Sequence, residues 1–254
     1  MYTPDNQANS ICILIPFYNA GSHLLKLLAE LKECNYPVLL VNDGSTDNIL
    51  PQIEAAIANC DNIQLIGYQR NRGKGYALQC GFRAAHFAHF AYALTMDADG
   101  QHQVKDIPLF LSSIAQNADT LIIGVRDFSH PNMPKKNKFA NRFSNFWVTV
   151  QTGIRLSDTQ TGFRLYPLRK MGKMHLLSRR YEAEIELLVR CVWKGIPIKT
   201  VSIEVLYPPQ NERVSHFRPS IDFLRISLLN TILCIVAIIY GYPAMLLRKM
   251  AKKK

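Results

Sequence analysis

Residues 92–99 read Tyr92-Ala93-Leu94-Thr95-Met96-Asp97-Ala98-Asp99, an apolar run that stops in two carboxylates one residue apart. The run has the length and composition of a buried strand, and turn residues follow it. On an extended segment, side chains two residues apart leave the same face. Asp97 and Asp99 are therefore placed to share one hard divalent cation that also binds phosphate oxygens. So short a pair arises readily by chance, and a solvated loop uses the same residues. The strand in front of it gives the pair its meaning.

The same rhythm recurs on either side of this stretch. Strand-like runs are predicted at 11–15, 38–41, 63–66, 120–125 and 198–205, and helices at 22–34, 49–58, 75–88, 107–115, 137–151 and 181–193. Within 22–34, Leu24, Leu27, Leu28 and Leu31 share one face. Strands alternating with helices at this spacing predict an α/β fold: a Rossmann-like, mostly parallel sheet with helices on both faces. In such sheets ligands sit outside the carboxyl ends of the strands. Tyr18-Asn19, Asp43-Gly44-Ser45, Asp97-Ala98-Asp99 and Arg126-Asp127 each follow a predicted strand, so four polar clusters converge on one rim. After Arg126 the rhythm changes to a basic loop at 129–138 and a compact polar turn at 158–164.

Composition narrows the class. The chain has 254 residues, 48% of them apolar, which excludes a disordered chain and suits one domain with an appendage. Thirteen glycines, 13 prolines and six cysteines exclude a collagen or a disulfide scaffold. The cysteines are scattered without a C-x-x-C pair and read as small buried apolar groups in a reducing compartment. The polar stretch 1–10 lacks the apolar core of a signal peptide, so the body is expected in the cytoplasm.

The net charge of +11 first suggests nucleic acid. However, Arg248, Lys249, Lys252, Lys253 and Lys254 supply five of those charges within the last seven residues, directly after an uncharged run at 226–247. A basic cluster in that place reads as a contact with a membrane surface, and no nucleic-acid partner is expected. The run is long enough to span a bilayer. Ser227, Asn230, Thr231, Gly241 and Pro243 suit equally a helix lying in the interface or packed on a partner, and a buried core helix is the plain alternative.

Arg70-Asn71-Arg72-Gly73-Lys74-Gly75 precedes a predicted helix. It matches neither G-x-x-x-x-G-K-[ST] nor G-x-G-x-x-G, which disfavours an ATPase and a dinucleotide-dependent dehydrogenase. A lysine between glycines at a helix start suits a diphosphate, and a simple helix-entry turn would look the same. Asp158-Thr159-Gln160-Thr161-Gly162-Phe163-Arg164 packs an acid, a base and an aromatic around a glycine, as a hydrogen-bonded turn also would. Arg126, Arg142 and Arg164, taken singly, read as surface arginines. No Ser–His–Asp or Cys–His arrangement is legible from spacing.

Taken together and in order, Ile13-Leu14-Ile15-Pro16-Phe17-Tyr18-Asn19, Val41-Asn42-Asp43-Gly44-Ser45-Thr46-Asp47, Asn71-Arg72-Gly73-Lys74-Gly75, Met96-Asp97-Ala98-Asp99-Gly100-Gln101-His102, Gly124-Val125-Arg126 and Thr161-Gly162-Phe163-Arg164 resemble the family-2 glycosyltransferases of GT-A fold, in particular their dolichyl-phosphate mannosyltransferase-like branch. The resemblance runs from about Ile11 to Asp222. It implies a catalytic domain over 1–222 followed by an apolar, membrane-associated helical segment with a basic tail over 223–254.

The resemblance further implies that Pro16, Tyr18, Asn19 and Asp43 line the pocket of a nucleotide-sugar donor with Lys74 nearby. Asp97, Asp99 and Gln101 would organise Mg2+ or Mn2+ on the diphosphate. Arg126, Arg142 and Arg164 would hold the phosphate of a lipid-linked acceptor, most simply a polyprenyl phosphate, at the cytoplasmic face of a membrane. The sugar would be transferred with inversion. Three positions depart from the family pattern: Ala20 where Glu is common, Asn42 where Asp is common, and Arg213-Val214-Ser215-His216-Phe217 where a glycine-x-serine-lysine type of segment is frequent. His216 and Arg218 would replace that lysine on the acceptor. The rival readings are transfer to another lipid or hydrophobic metabolite, and a non-catalytic sugar-nucleotide-binding or membrane-binding module.

Overall fold

Ile11–Phe17 forms β1, and all seven residues are buried, because strands flank it on both sides and helices cover both of its faces. β2 (Val38–Asp43) and β4 (Tyr92–Thr95) pair with it in parallel, Ile13 beside Val38 and Ile11 beside Tyr92. β3 (Ile63–Tyr68) extends the sheet beyond β2. On the other side β6 (Arg164–Pro167) runs antiparallel between β4 and β5 (Leu121–Arg126), and β7 (Ile198–Ile203) closes the edge parallel to β5. The strand order is β3-β2-β1-β4-β6-β5-β7. This computed structural model describes residues 11–34, 36–128, 135–206 and 219–251.

Alternation along the strands sorts the core into two layers. Ile13 and Ile15 point to one face, where α1 (Gly21–Glu33), α2 (Ile49–Ile57) and α4 (Ile107–Gln116) supply Leu24, Ile53 and Phe110. Cys12 and Leu14 point to the other, where α3 (Lys74–Phe87), α5 (Lys135–Thr152), α6 (Leu168–Met171) and α7 (Ala183–Trp193) pack. The helices on both faces and the mostly parallel sheet are as the sequence predicts. The antiparallel β6 is not foreseen: it has four residues, ends in Pro167 and follows a polar turn, too little for a periodic signal.

Pro16 explains why a ligand crevice opens beside β1. The N–H of Ile13 bonds to Pro37 on the β2 side, so by alternation the ring nitrogen of Pro16 faces the β4 side. β4 has already ended at Thr95 there, and the donor that proline lacks has no ladder to join. β1 and β4 part at the point where the strand order reverses, which is where open α/β sheets bind ligands.

The C-terminal run is helical in two pieces, α8 (Pro219–Val236) and α9 (Tyr242–Ala251), joined by a widened π-helical turn over Ala237–Gly241. The irregularity has a local cause. Pro243 cannot donate to the helix, and Gly241 lies so close to Trp193 that a Cβ there would sit 2.5 Å from the indole Nε1. Leu229, Leu233 and Ala237 join the core beside Val148. Removing the two leucines from water contributes about 3–6 kcal/mol, so the helix is held on the body. All six cysteines are free.

Candidate active site

The rim is built from loops that leave the carboxyl ends of β1, β2, β4 and β5. Asn19, at φ +48°, stitches the first two together. Its amide N–H donates to Ser45 Oγ (3.0 Å), and its side-chain oxygen accepts from the backbone of Thr46 (2.8 Å). Asn42 braces the turn after β2 by accepting the N–H of Ser45 on its side-chain oxygen at 2.9 Å. Pro16 is buried, and Tyr18 and Asn19 are half-buried at the opening.

Asp43 is buried, and the chain's own donors surround its carboxylate. They are the Tyr68 hydroxyl (2.7 Å), the backbone N–H groups of Arg72 (2.8 Å) and Gly73 (2.9 Å), and the Asn71 side chain (3.0 Å). Burial, reinforced by Asp43, pushes the Tyr68 phenol well above its ordinary range and keeps it a donor. Asp43 therefore shapes the loop that precedes α3 and delivers Lys74.

Lys74 reaches across to the acids that follow β4. Its Nζ lies 2.5 Å from Asp97 Oδ1 and 3.1 Å from Glu184 Oε1. Burial alone would lower its pKa, but the two carboxylates raise it and keep the ammonium charged. Burial also opposes ionisation of Asp97, yet the charge of Lys74 prevails and holds it at about 2. His102, buried and stacked on Phe163 with ring centroids 4.9 Å apart, accepts the backbone N–H of Asp97 on Nδ1 at 3.0 Å. That bond places the ring proton on Nε2, 3.9 Å from Asp97 Oδ2. Gly162 packs against the same carboxylate: a Cβ there would lie 2.7 Å from Oδ2 and 2.8 Å from Oδ1.

Asp99 is in a different position. Burial and the neighbouring Asp97 raise its carboxyl above the ordinary value, and its Oδ1 accepts the Gln101 N–H at 3.0 Å. The Gln101 carbonyl accepts from Leu206 at 3.0 Å, and Asp106 accepts the Glu204 N–H at 2.8 Å. The chain leaving β7 is thus sewn to the turn that carries Asp99. Among the described residues no group of three or more His, Cys, Asp and Glu forms a cation cage. Two crowded carboxylates, Asp97 held by Lys74 and Asp99 on the turn beyond it, suit Mg2+ or Mn2+, which take one or two protein carboxylates and complete their shell with phosphate oxygens and water.

The three arginines have three different fates. Arg126 grips the fully buried Asp158 bidentately, Nε to Oδ2 at 2.7 Å and Nη2 to Oδ1 at 2.9 Å, and lies over Phe128. Helix α5 holds that turn through Asn141 and Asn145, which both donate to Ser157 O. Arg142 is exposed on α5. Arg164 is completely buried, and its guanidinium donates to Thr161 O (2.8 Å), Glu184 O (2.7 Å) and Thr159 O (2.8 Å). Fully enclosed, with its donors on the chain's own carbonyls, it presents no guanidinium to an acceptor phosphate. Its work is to tie β6 to the 159–161 turn and to the start of α7. His216 and Arg218 lie outside the described residues, as does 129–134 of the basic loop.

The structure therefore gathers Asn19, Asp43, Lys74, Asp97, Asp99 and Gln101 on one rim and sets Arg164 behind it. It adds Glu184, Asp158, His102 and Gly162, which the sequence does not assign. The last three lie within the quoted motifs, whereas Glu184 carries no sequence signal beyond being an acid in a helix's first turn.

Similar proteins share this frame. The UDP-N-acetylglucosamine–dolichyl-phosphate N-acetylglucosaminyltransferase of Methanococcus voltae is 28% identical over 216 residues, 78% of this chain and 86% of that one. The undecaprenyl-phosphate mannosyltransferase of Micrococcus luteus is 26% identical over 201 residues, 76% of this chain and 82% of that one. In fold, glucosyl-3-phosphoglycerate synthase from Mycobacterium tuberculosis, solved with Mn2+, UDP-glucose and phosphoglyceric acid, superposes with a TM-score of 0.59 at 13% identity, covering 93% of this chain and 84% of that one. TarS 1–349 of S. aureus gives 0.55 at 16% identity, covering 88% of this chain and 64% of that one. The family described as Glycosyl transferase family 2 matches residues 12–173, from β1 through Asp43, Lys74, Asp97 and Asp99 to Arg164 and α6, and the chain belongs to that family of glycosyltransferases.

Proposed function

We propose that the protein moves a sugar from a nucleotide-sugar donor to a membrane lipid, a polyprenyl phosphate, with inversion at the anomeric carbon. The observation that carries the reading is the placement of Asp97, held by Lys74, and of Asp99 next to it at the crevice between β1 and β4. The names of the M. voltae and M. luteus relatives support the acceptor class.

The residues divide the work. Pro16, Tyr18, Asn19 and Asp43 line the donor's nucleotide side. Asp97 and Asp99, with Gln101 bracing their turn, would hold Mg2+ or Mn2+. When bound, the cation neutralises charge on the departing diphosphate. Lys74 keeps Asp97 ionised and oriented, and Glu184 fixes Lys74 from the other side. An acceptor phosphate oxygen is already ionised, so the chain needs no strong base to activate it. Arg126, aimed by Asp158, and the exposed Arg142 meet that phosphate, with His216 and Arg218 assigned to it by their sequence position. The cytoplasmic face of a membrane is where donor and lipid meet.

The test uses the full chain with UDP- and GDP-sugars, Mg2+ or Mn2+, and polyprenyl phosphate. Nucleoside diphosphate release that needs both lipid and metal is expected. Failure of every donor to bind, or equal release in the presence of a chelator, contradicts the proposal.

A further inference from the structure

α5 and the C-terminal helices leave a joined apolar surface open. On α5, Phe139, Phe146 and Val150 share one face with Phe143 at helical spacing, and Phe139 is 70% exposed. On α8 and the π-turn, Leu224, Leu228, Ile235 and Ile239 form a second exposed stripe, with Ile239 at 74%. The opposite face of the same helix buries Leu229 and Leu233. The two stripes meet: the Phe143 and Phe223 rings lie 5.5 Å apart, and the Tyr242 hydroxyl donates to Val150 O. A helix apolar on both faces, with one against protein and the other open, needs an apolar neighbour.

Charge says which neighbour. α5 carries Lys135, Lys136, Lys138 and Arg142 and no acid. Residues 223–254 carry Arg225, Arg248, Lys249 and three terminal lysines, again with no acid, and Asp222 just before them is buried. Helices with an open apolar face, whose sequence carries cations and no exposed acid, fit an anionic phospholipid surface.

The anchor points decide the orientation. Phe223 packs on Phe143, Asn230 Oδ1 accepts from Gln151 at 3.1 Å, Gly241 lies on Trp193, and Arg248 lies against Gly195. From Phe223 to Arg248 the helix runs about 38 Å, more than the roughly 30 Å of a hydrocarbon core. Crossing the membrane along that length would draw α5 and α7 into lipid with it. We propose that α8 and α9 do not span the bilayer but lie in its anionic surface, with α5 as a third lipid-facing element. The inference stands on these helices alone, so it can fail while the transfer reaction holds, and the reverse.

The test adds the full chain, tagged at either end, to sealed vesicles of phosphatidylcholine with or without phosphatidylglycerol. The anionic vesicles should bind it about tenfold more tightly. External protease should remove both tags from bound protein. Phe139→Glu with Phe146→Glu, at exposed positions, should weaken vesicle binding by about tenfold or more with an unchanged thermal midpoint, and Leu228→Glu with Ile235→Glu should do the same. A C-terminal tag protected inside the vesicles while the N-terminal tag is cut would overturn the proposal. So would α5 variants that bind like the parent, or a parent chain that binds neither vesicle.

Discussion

Arg164→Met separates a buried brace from a phosphate ligand. The guanidinium is fully enclosed and satisfies three carbonyls from two separate segments at 2.7–2.8 Å, with the Tyr166 hydroxyl at 3.4 Å. Methionine keeps most of the stem volume and removes every donor. Hydrogen bonds from a charged group contribute about 1.5–3 kcal/mol each, and the cost of burying the charge offsets part of their sum. The net loss is about 3–5 kcal/mol, which lowers the midpoint of a domain this size by roughly 10 °C. Thermal unfolding followed by circular dichroism reads that loss. Steady-state kinetics well below the midpoint should show a lowered kcat, because Glu184 starts the helix that holds Lys74, with little change in acceptor KM. An unchanged midpoint together with a raised acceptor KM would refute the assignment and return Arg164 to the acceptor site.

Three further outcomes follow from the rim. Gly162→Ala puts a methyl 2.7 Å from Asp97 Oδ2, so the carboxylate must retreat by about 0.5 Å; kcat should fall about 10–100-fold while the protein stays folded, and parental turnover would contradict the contact. Asp99 has a carboxyl raised by burial and by Asp97. Stability from such a group is complete below its unfolded pKa and lost as pH rises through the raised folded value. Asp99→Asn should therefore raise the metal-free midpoint at neutral pH, abolish the stabilisation given by Mg2+ or Mn2+, and abolish turnover; a variant still stabilised by metal would remove Asp99 from the cation site. Asp158→Asn releases one side of the bidentate grip on Arg126 and should raise acceptor KM about tenfold with donor KM unchanged; a change in donor KM alone would place Arg126 elsewhere.

Much of the rim is legible in the sequence because one topological rule carries it. Once strands alternate with helices, Asn19, Asp43 and Asp97 must emerge on the same edge of the sheet. Pro16 looks like a strand terminator, yet β1 continues to Phe17, because the donor it lacks falls where β4 has already stopped. β6 stays hidden behind the polar turn before it. Arg164 is misread for a related reason: whether an arginine binds a phosphate or three carbonyls depends on segments distant in the chain, and no local pattern records their convergence. Glu184 is silent in the same way, since Lys74 reaches it only after α7 packs against α3.

Mass analysis of the lipid extracted after reaction separates sugar transfer from donor hydrolysis. Full-length protein is incubated with polyprenyl phosphate, metal and the donor that supports diphosphate release. A new lipid is expected, heavier than the acceptor by one sugar residue, its anomeric configuration opposite to the donor's, and absent from Asp99→Asn reactions. An unmodified lipid alongside free sugar, or a glycosylated lipid that forms equally with Asp99→Asn, would contradict it.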